Sequence, residues 1–218
     1  MNYAQARQHM VRTQLKRRGI AAPAVLAAMR EVPREAFVPE HLAQHAYEDR
    51  PLPIEAGQTI SQPFMVAAMI EAAELERGNR VLEIGAGSGY AAAVMSRIAA
   101  HVYAIERHAE LVEIAAARLK RLGYDTVELH VGDGTEGLPD AAPFDAIIAS
   151  AGGPFVPQVL KEQLEIGGRL VMPVGDGEQR LLKITRASAT HLEEEDLGGV
   201  AFVPLIGAHG WKESDHAH

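Results

Sequence analysis

The chain has 218 residues, 29 acidic against 21 basic side chains for a formal net charge of -8, and no cysteine. That length supports one sizeable core and is short for two domains. The missing cysteines exclude disulfides, thiolate catalysis and cysteine-type zinc sites and fit a reducing compartment, and the acidic balance argues against nucleic acid as the main partner.

In chain order, the start Met1-Asn-Tyr-Ala-Gln-Ala-Arg7 carries no apolar stretch of signal-peptide length, and no later run is long enough for a bilayer, so a cytoplasmic location is expected. Tyr3 to Arg18 reads as a polar helical segment whose Lys16-Arg17-Arg18 end suits the negative pole of a helix. Gly19 breaks it, and Pro23 to Glu31 forms a second helix before Pro33. Tyr47 to Pro63 is punctuated by proline and glycine and reads as loop or short strands, with Phe64 to Leu75 helical after it. From Arg80 onward, strands near Val81, Val102, Val127, Ala146 and Leu170 alternate with helices at Ala91–Ala99, Ala109–Leu122 and Pro157–Leu164. Such alternation implies a parallel sheet covered on both faces, and Ala146-Ile-Ile-Ala149 suits a strand buried on both sides. Leu181–Ile184 and Val200–Val203 are expected to close the sheet with strands that include an antiparallel pair.

The most informative stretch is Val81-Leu-Glu-Ile-Gly-Ala-Gly-Ser-Gly-Tyr90, a strand entering a glycine turn and then a helix. A cofactor comes that close to backbone only where side chains are missing. A dinucleotide fingerprint starting at Gly85 needs glycine where Tyr90 stands. Gly85, Gly87 and Gly89, preceded by Glu83, instead resemble the turn of S-adenosylmethionine methyltransferases, whose cofactor is cationic and suits carboxylates. His101-Val-Tyr-Ala-Ile-Glu106 ends in a carboxylate about 20 residues on, where nucleoside-binding folds place an acid against the ribose hydroxyls. Val127-Glu-Leu-His-Val-Gly-Asp-Gly134 ends a third strand with Asp133 and Gly134, suited to the adenine edge. Glu106 alone reads more readily as a solvated strand end, and Asp133-Gly134 alone as a plain turn; three such strand ends in order argue for the cofactor.

A more specific resemblance rests on Val32-Pro-Arg-Glu-Ala-Phe-Val-Pro39, Ala46-Tyr-Glu-Asp-Arg-Pro-Leu-Pro-Ile54, Gly57-Gln-Thr-Ile-Ser-Gln-Pro63, Ala142-Pro-Phe-Asp-Ala-Ile147 and Phe202-Val-Pro-Leu-Ile-Gly207. Together with the glycine turn these resemble the protein-L-isoaspartate O-methyltransferases of bacterial type, from the first helix to Trp211. The resemblance implies an α/β Rossmann-like methyltransferase fold, a mostly parallel seven-stranded sheet whose last two strands exchange their usual places. It further implies one domain over residues 1–218, in which residues 1–75 form a helical and loop extension carrying the substrate loop. The substrate would be an L-isoaspartyl residue in a damaged protein or peptide, the product S-adenosylhomocysteine, and the protein a monomer acting on neither nucleic acid nor membrane. Ser61 takes the family's active-site serine position; Thr59, Ile60, Glu83, Gly85, Gly87, Gly89, Glu106, Arg107, Asp133 and Gly134 form the expected cofactor set. Ile206 and Trp211 belong to a C-terminal segment that helps close the site. Gly152-Gly153 departs from the family's alanine-rich run.

The chemistry asks little of acids and bases. A carboxylate with a pKa near ~4 is ionised at neutral pH and attacks a sulfonium methyl unaided. The protein must align the reacting atoms and exclude water, and donors must replace the water lost. Thr59-Ile60-Ser61 offers hydroxyl and backbone donors ahead of a helix; taken without the resemblance, Ser61 reads more readily as that helix's N-cap, and the surrounding motif reverses the preference. His41 and His45 have the spacing of a metal pair but no supporting carboxylate, and His216 and His218 are too few for a site, so no metal is expected. Other carboxylate methyltransferases, a non-catalytic cofactor-binding module and a nicotinamide oxidoreductase remain as rival readings. An amine methyltransferase is disfavoured by Ala149-Ser-Ala-Gly-Gly153 after the fourth strand.

Overall fold

The structure is a computed structural model that describes residues 2–215. Helix α1, Tyr3–Met10, starts with a capping box: Asn2 Oδ1 accepts from the Gln5 N–H at 2.9 Å, and Gln5 Oε1 accepts from the Asn2 N–H at 3.3 Å. The helical path continues through a wider turn at Val11–Leu15 and a tighter one at Lys16–Arg18, which is exposed, and stops at Gly19 with φ 105°. Helix α2, Pro23–Glu31, has proline at its first position and buries Val25, Leu26, Ala28 and Met29. A two-strand ribbon follows, β1 (Leu52–Pro53) antiparallel to β2 (Thr59–Ile60), and leads into α3 (Pro63–Ala72).

The main sheet holds β3 (Arg80–Ile84), β4 (His101–Glu106), β5 (Val127–Val131), β6 (Phe144–Ala149), β7 (Leu164–Val174), β8 (Gln179–Arg186) and β9 (Leu192–Val200), in the order β5-β4-β3-β6-β7-β8-β9. The first five are mutually parallel; β8 and β9 add an antiparallel meander in simple chain order. Between these strands run α4 (Tyr90–Met95), α5 (Ala109–Leu122) and α6 (Gln158–Glu162). Helix α5 buries Leu111, Ala115 and Leu119 along one stripe and ends at left-handed Gly123, whose neighbour Tyr124 donates its N–H to the Leu119 carbonyl at 3.0 Å.

Strand alternation divides the core. Val81, Val102, Ala146 and Ile148 face one side, where Met10, Met29, Phe37 and α4 pack; Leu82, Ile84, Phe144, Ile147 and Leu160 face the other. Phe37, fully buried, meets Tyr90 edge-on at 5.6 Å and lies 6.2 Å from Tyr124, which locks the N-terminal extension onto the α4 side. Burying such a ring contributes roughly 1.5–3 kcal/mol.

Four boundaries differ from expectation, the first being α3, which ends at Ala72 and not at Leu75. Helix α6 is only five residues long because Leu164 already pairs with Phe144, and β7 passes a bulge around left-handed Gly167 before pairing again at Arg169. Helix α4 ends at Met95, with Ser96–Ile98 in a turn. Strand β9 starts at Leu192 and ends at Val200, so Ala201–Val203 leave the sheet. The outer strand β9 carries Glu193, Glu194, Glu195 and Asp196, all exposed. Among the described residues no helix is long and apolar enough to cross a membrane.

Candidate functional site

The chain turns to opposite sides of β3 to reach β4 and β6, and ligands of open α/β sheets bind outside the strand ends at such a reversal. A cavity of about 400 Å³ lies there, walled by the Gly85–Ser88 turn, the end of β4, Ser150-Ala151, the Gly57–Ser61 loop and Val203–Ile206.

The turn is tied to β4 by backbone: the Gly85 and Ala86 N–H groups donate to the Ile105 carbonyl at 2.8 and 3.1 Å. Gly87 has φ 51°, and its N–H donates to Glu106 Oε2 at 3.0 Å; Glu106 Oε1 accepts from the His108 N–H at 3.1 Å. Glu106, 6 % exposed, thus fixes the turn while each of its oxygens keeps a lone pair for a ligand. Gly85, Gly87, Glu106, Arg107 and Gly134 line the cavity, and so do Thr59, Ile60 and Ser61. Arg107 pairs with Glu213 at 2.7 Å on the rim.

Strand alternation points Glu83 to the α4 side of β3, where it is 1 % exposed. Burial pushes its pKa well above the ordinary carboxylate range and the charge of Glu106 adds to this, against donation from the Ala92 N–H and the Ser150 hydroxyl. Its Oε2 has no hydrogen-bond partner, yet Glu83 lines the cavity. An orphaned carboxylate oxygen beside a second carboxylate fits a cationic ligand and repels a phosphate.

Two expected residues stand elsewhere. Gly89 caps α4 and lies off the cavity wall; a Cβ there would sit 3.3 Å from the Ala115 Cβ and 3.4 Å from Leu119 Cδ1, so it serves the packing of α4 on α5. The Asp133 side chain is turned away, Oδ1 accepting from the Thr135 N–H at 2.8 Å and hydroxyl at 2.7 Å, and Oδ2 from the Ala208 N–H at 2.6 Å. Burial alone raises its pKa, but these donors outweigh it and hold the pKa low. Asp133 therefore anchors the C-terminal segment, while Gly134 beside it lines the cavity.

The loop carrying Ser61 is built by pairing Leu52 with Ile60 and Pro53 with Thr59. Helix α3 takes Gln62 as its N-cap with Pro63 at the first position, and no side chain caps it, so the helix-cap reading of Ser61 fails. Ser61 closes the loop, and its carbonyl accepts from Arg34 Nη2 at 2.8 Å. Arg34, fully buried, was visible in sequence only as a member of the Val32–Pro39 motif; nothing in the pattern marked it as interior.

Opposite, the Gly152 N–H donates to the Val203 carbonyl at 2.8 Å, and the Gly152 carbonyl accepts from the Leu205 N–H at 2.8 Å and Trp211 Nε1 at 3.0 Å. Gln179 grips Phe202 through Oε1 at 2.7 Å and Nε2 at 3.1 Å. A Cβ on Gly152 would fall 2.5 Å from Gln179 Nε2, and one on Gly153 would fall 2.6 Å from Met172 Cε. The glycine pair makes room for this roof.

Among the described residues no three acidic or histidine side chains are placed to hold a metal. His45 pairs with Glu48 at 2.5 Å on an exposed short helix that also carries His41, and His216 and His218 lie outside the described residues.

Comparison with known proteins gives a consistent picture. The family model described as Protein-L-isoaspartate(D-aspartate) O-methyltransferase matches residues 5–210. A protein named Protein-L-isoaspartate O-methyltransferase from Rhodopseudomonas palustris is 56 % identical over 210 residues, covering 95 % of this chain and 96 % of the relative. One of the same name from Methylorubrum extorquens is 60 % identical over 204 residues, covering 93 % and 89 %. A solved protein-L-isoaspartate O-methyltransferase superposes with a TM-score of 0.84 at 32 % identity, over 93 % of this chain and 67 % of the other. A Plasmodium falciparum structure titled as a protein of this kind in complex with S-adenosyl-L-homocysteine superposes at 0.81 and 27 % identity, over 92 % and 98 %.

Proposed function

The chain belongs to the protein-L-isoaspartate(D-aspartate) O-methyltransferase family, and from that premise we infer that it methylates the free carboxylate of L-isoaspartyl residues in damaged proteins and peptides, which initiates their repair. The observation that carries this reading is that the Gly57–Ser61 loop and the Glu83–Glu106 carboxylates meet in one cavity. When bound there, S-adenosylmethionine supplies a methyl group on a sulfonium, which passes to a carboxylate oxygen and leaves a neutral thioether.

The residues present fit that cofactor. Gly85 and Gly87 give close approach to backbone, Glu106 holds the ribose hydroxyls, Glu83 answers the positive end, and Thr59, Ile60, Arg107 and Gly134 complete the walls. Gly89 and Asp133 support this set from behind. Ser61 donates to the substrate carboxylate and holds it in line, while Val203–Ile206 exclude water from above. The side chains have no proton to remove, because the nucleophile is already ionised. We assign these roles within one catalytic domain of residues 1–218, in which residues 1–75 carry the substrate loop. The protein acts as a cytoplasmic monomer, on neither nucleic acid nor membrane.

The deciding experiment compares two peptides that differ only in an L-isoaspartyl or L-aspartyl residue at one site, with labelled cofactor. Methyl transfer is expected to the isoaspartyl peptide alone; equal transfer to both, or to neither, overturns the reading. Glu106→Gln is expected to weaken cofactor binding about tenfold by calorimetry, roughly the worth of one charged hydrogen bond. Unchanged affinity would remove Glu106 from the ribose contact.

A further inference from the structure

A buried cation lies behind the substrate loop. Arg34 opens a short helix, Arg34–Phe37, directly after Pro33, and is 0 % exposed. Its Nε donates to the Ala46 carbonyl at 2.7 Å and its Nη2 to the Ser61 carbonyl at 2.8 Å. One planar group thereby ties the chain ahead of the β1–β2 ribbon to the chain just after it. The guanidinium carbon stands 4.9 Å from the centre of the Tyr90 ring, and Tyr90 and Ser61 both line the cavity. Nη1 makes no hydrogen bond. Burial pushes the Arg34 pKa down to about 10, against the pull of Tyr90 and Tyr47, and its hydrogen-bond acceptors among the described residues are backbone carbonyls and not carboxylates.

As scaffolding alone this is a costly choice. A buried charge without a counter-ion is penalised by desolvation, and an apolar side chain of similar volume fills such a space with less loss. The missing counter-charge belongs on the cavity side of Ser61, where the substrate carboxylate is held. We infer that Arg34 is a positioning residue for that carboxylate: it fixes the end of the Gly57–Ser61 loop, and with it the Ser61 hydroxyl, while its buried positive charge favours an anion in front of the loop. The inference rests on the methyltransferase reading above and adds a determinant of substrate affinity that does not touch the reacting atoms.

The test uses Arg34→Met and Arg34→Lys, measuring KM and kcat on the isoaspartyl peptide, cofactor affinity by calorimetry, and thermal midpoint. Arg34→Met is expected to raise peptide KM tenfold or more, a clearly larger factor than any rise in cofactor Kd through the loop's other wall residues. Arg34→Lys restores part of the loss, since it returns the charge without the two-carbonyl fork. In the wild-type protein saturated with S-adenosylhomocysteine, the nitrogen-15 resonance of Arg34 Nε–H is expected to move on adding isoaspartyl peptide and to stay still with the aspartyl one. A KM within twofold of wild type in Arg34→Met overturns the inference, and so does a rise in cofactor Kd as large as the rise in KM. An unmoved Nε–H at saturating peptide also overturns it, and that measurement decides alone if neither variant folds. A wild-type protein inactive on the isoaspartyl peptide would sink the methyltransferase reading; an active one indifferent to Arg34 sinks only this inference.

Discussion

Replacing Glu83 with glutamine is expected to weaken S-adenosylmethionine binding about a hundredfold while making the cofactor-free protein harder to unfold above neutral pH. Both effects come from one orphaned oxygen. A hydrogen bond or close contact between charged groups contributes roughly 1.5–3 kcal/mol, and full burial of Glu83 puts it at the upper end. Burial, with Glu106 as its ionisable neighbour, raises the Glu83 pKa in the folded, cofactor-free protein above its unfolded value of about 4.3. A carboxyl shifted in that direction stabilises the fold fully below the unfolded pKa, and that stability is lost as pH rises through the folded pKa. Glutamine cannot ionise, so the thermal midpoint of Glu83→Gln should match wild type near pH 4, exceed it increasingly as pH rises from there towards the raised Glu83 pKa, and keep a constant lead above it. A cationic ligand reverses the preference by favouring the carboxylate. Cofactor binding to wild type should therefore release a proton and tighten with pH until Glu83 is ionised beforehand. Calorimetry in buffers of different ionisation enthalpy reads that proton directly. A heat independent of buffer, or a glutamine variant with wild-type affinity, removes Glu83 from the ligand contact.

Ser61→Ala is expected to lower turnover on the isoaspartyl peptide by about ten- to a hundredfold, the kinetic equivalent of one hydrogen bond to a charged group. Cofactor affinity should stay within twofold. Stability should barely change, because Gln62 occupies the N-cap of α3 and the Ser61 hydroxyl caps nothing; a capping serine would cost about 1 kcal/mol. A variant that keeps its turnover and loses thermal stability would show that the hydroxyl serves the loop's own structure and not the substrate.

What could be read in advance was whatever depends on a few neighbouring residues. The glycine turn, the carboxylate ending β4 and the ribbon at Thr59–Ile60 each follow from local chain chemistry, and they meet because parallel strands bring their ends together. Pro63 at the first helical position already implied Gln62 as the cap, a signal outweighed by the serine beside it. The Asp133 contact to the roof is not legible locally, because its partner, the Ala208 N–H, is 75 residues away and returns only when the roof folds over. Arg34 is not legible as interior because arginine is ordinarily a surface residue, and only the closing of α4 and the chain on either side of the ribbon around it buries it. The early start of β7 escaped notice because Leu164 is as good a helix residue as a strand residue, and Phe144 decides between them.

The acidic outer strand has a consequence for the company this enzyme keeps. Its substrates carry isoaspartyl residues, and any segment that such a residue loosens offers unpaired backbone to a sheet with a free margin. On β9, Glu193, Glu194 and Glu195 stand opposite Thr185, Ile184 and Lys183, leaving the far side of the strand bordered by exposed carboxylates, while Asp196 is engaged by Arg180 at 2.8 Å. A strand so charged resists annealing to a stray segment. The enzyme can then meet a fraying protein at its cavity, modify one residue and depart, without becoming the surface on which the damaged chains collect.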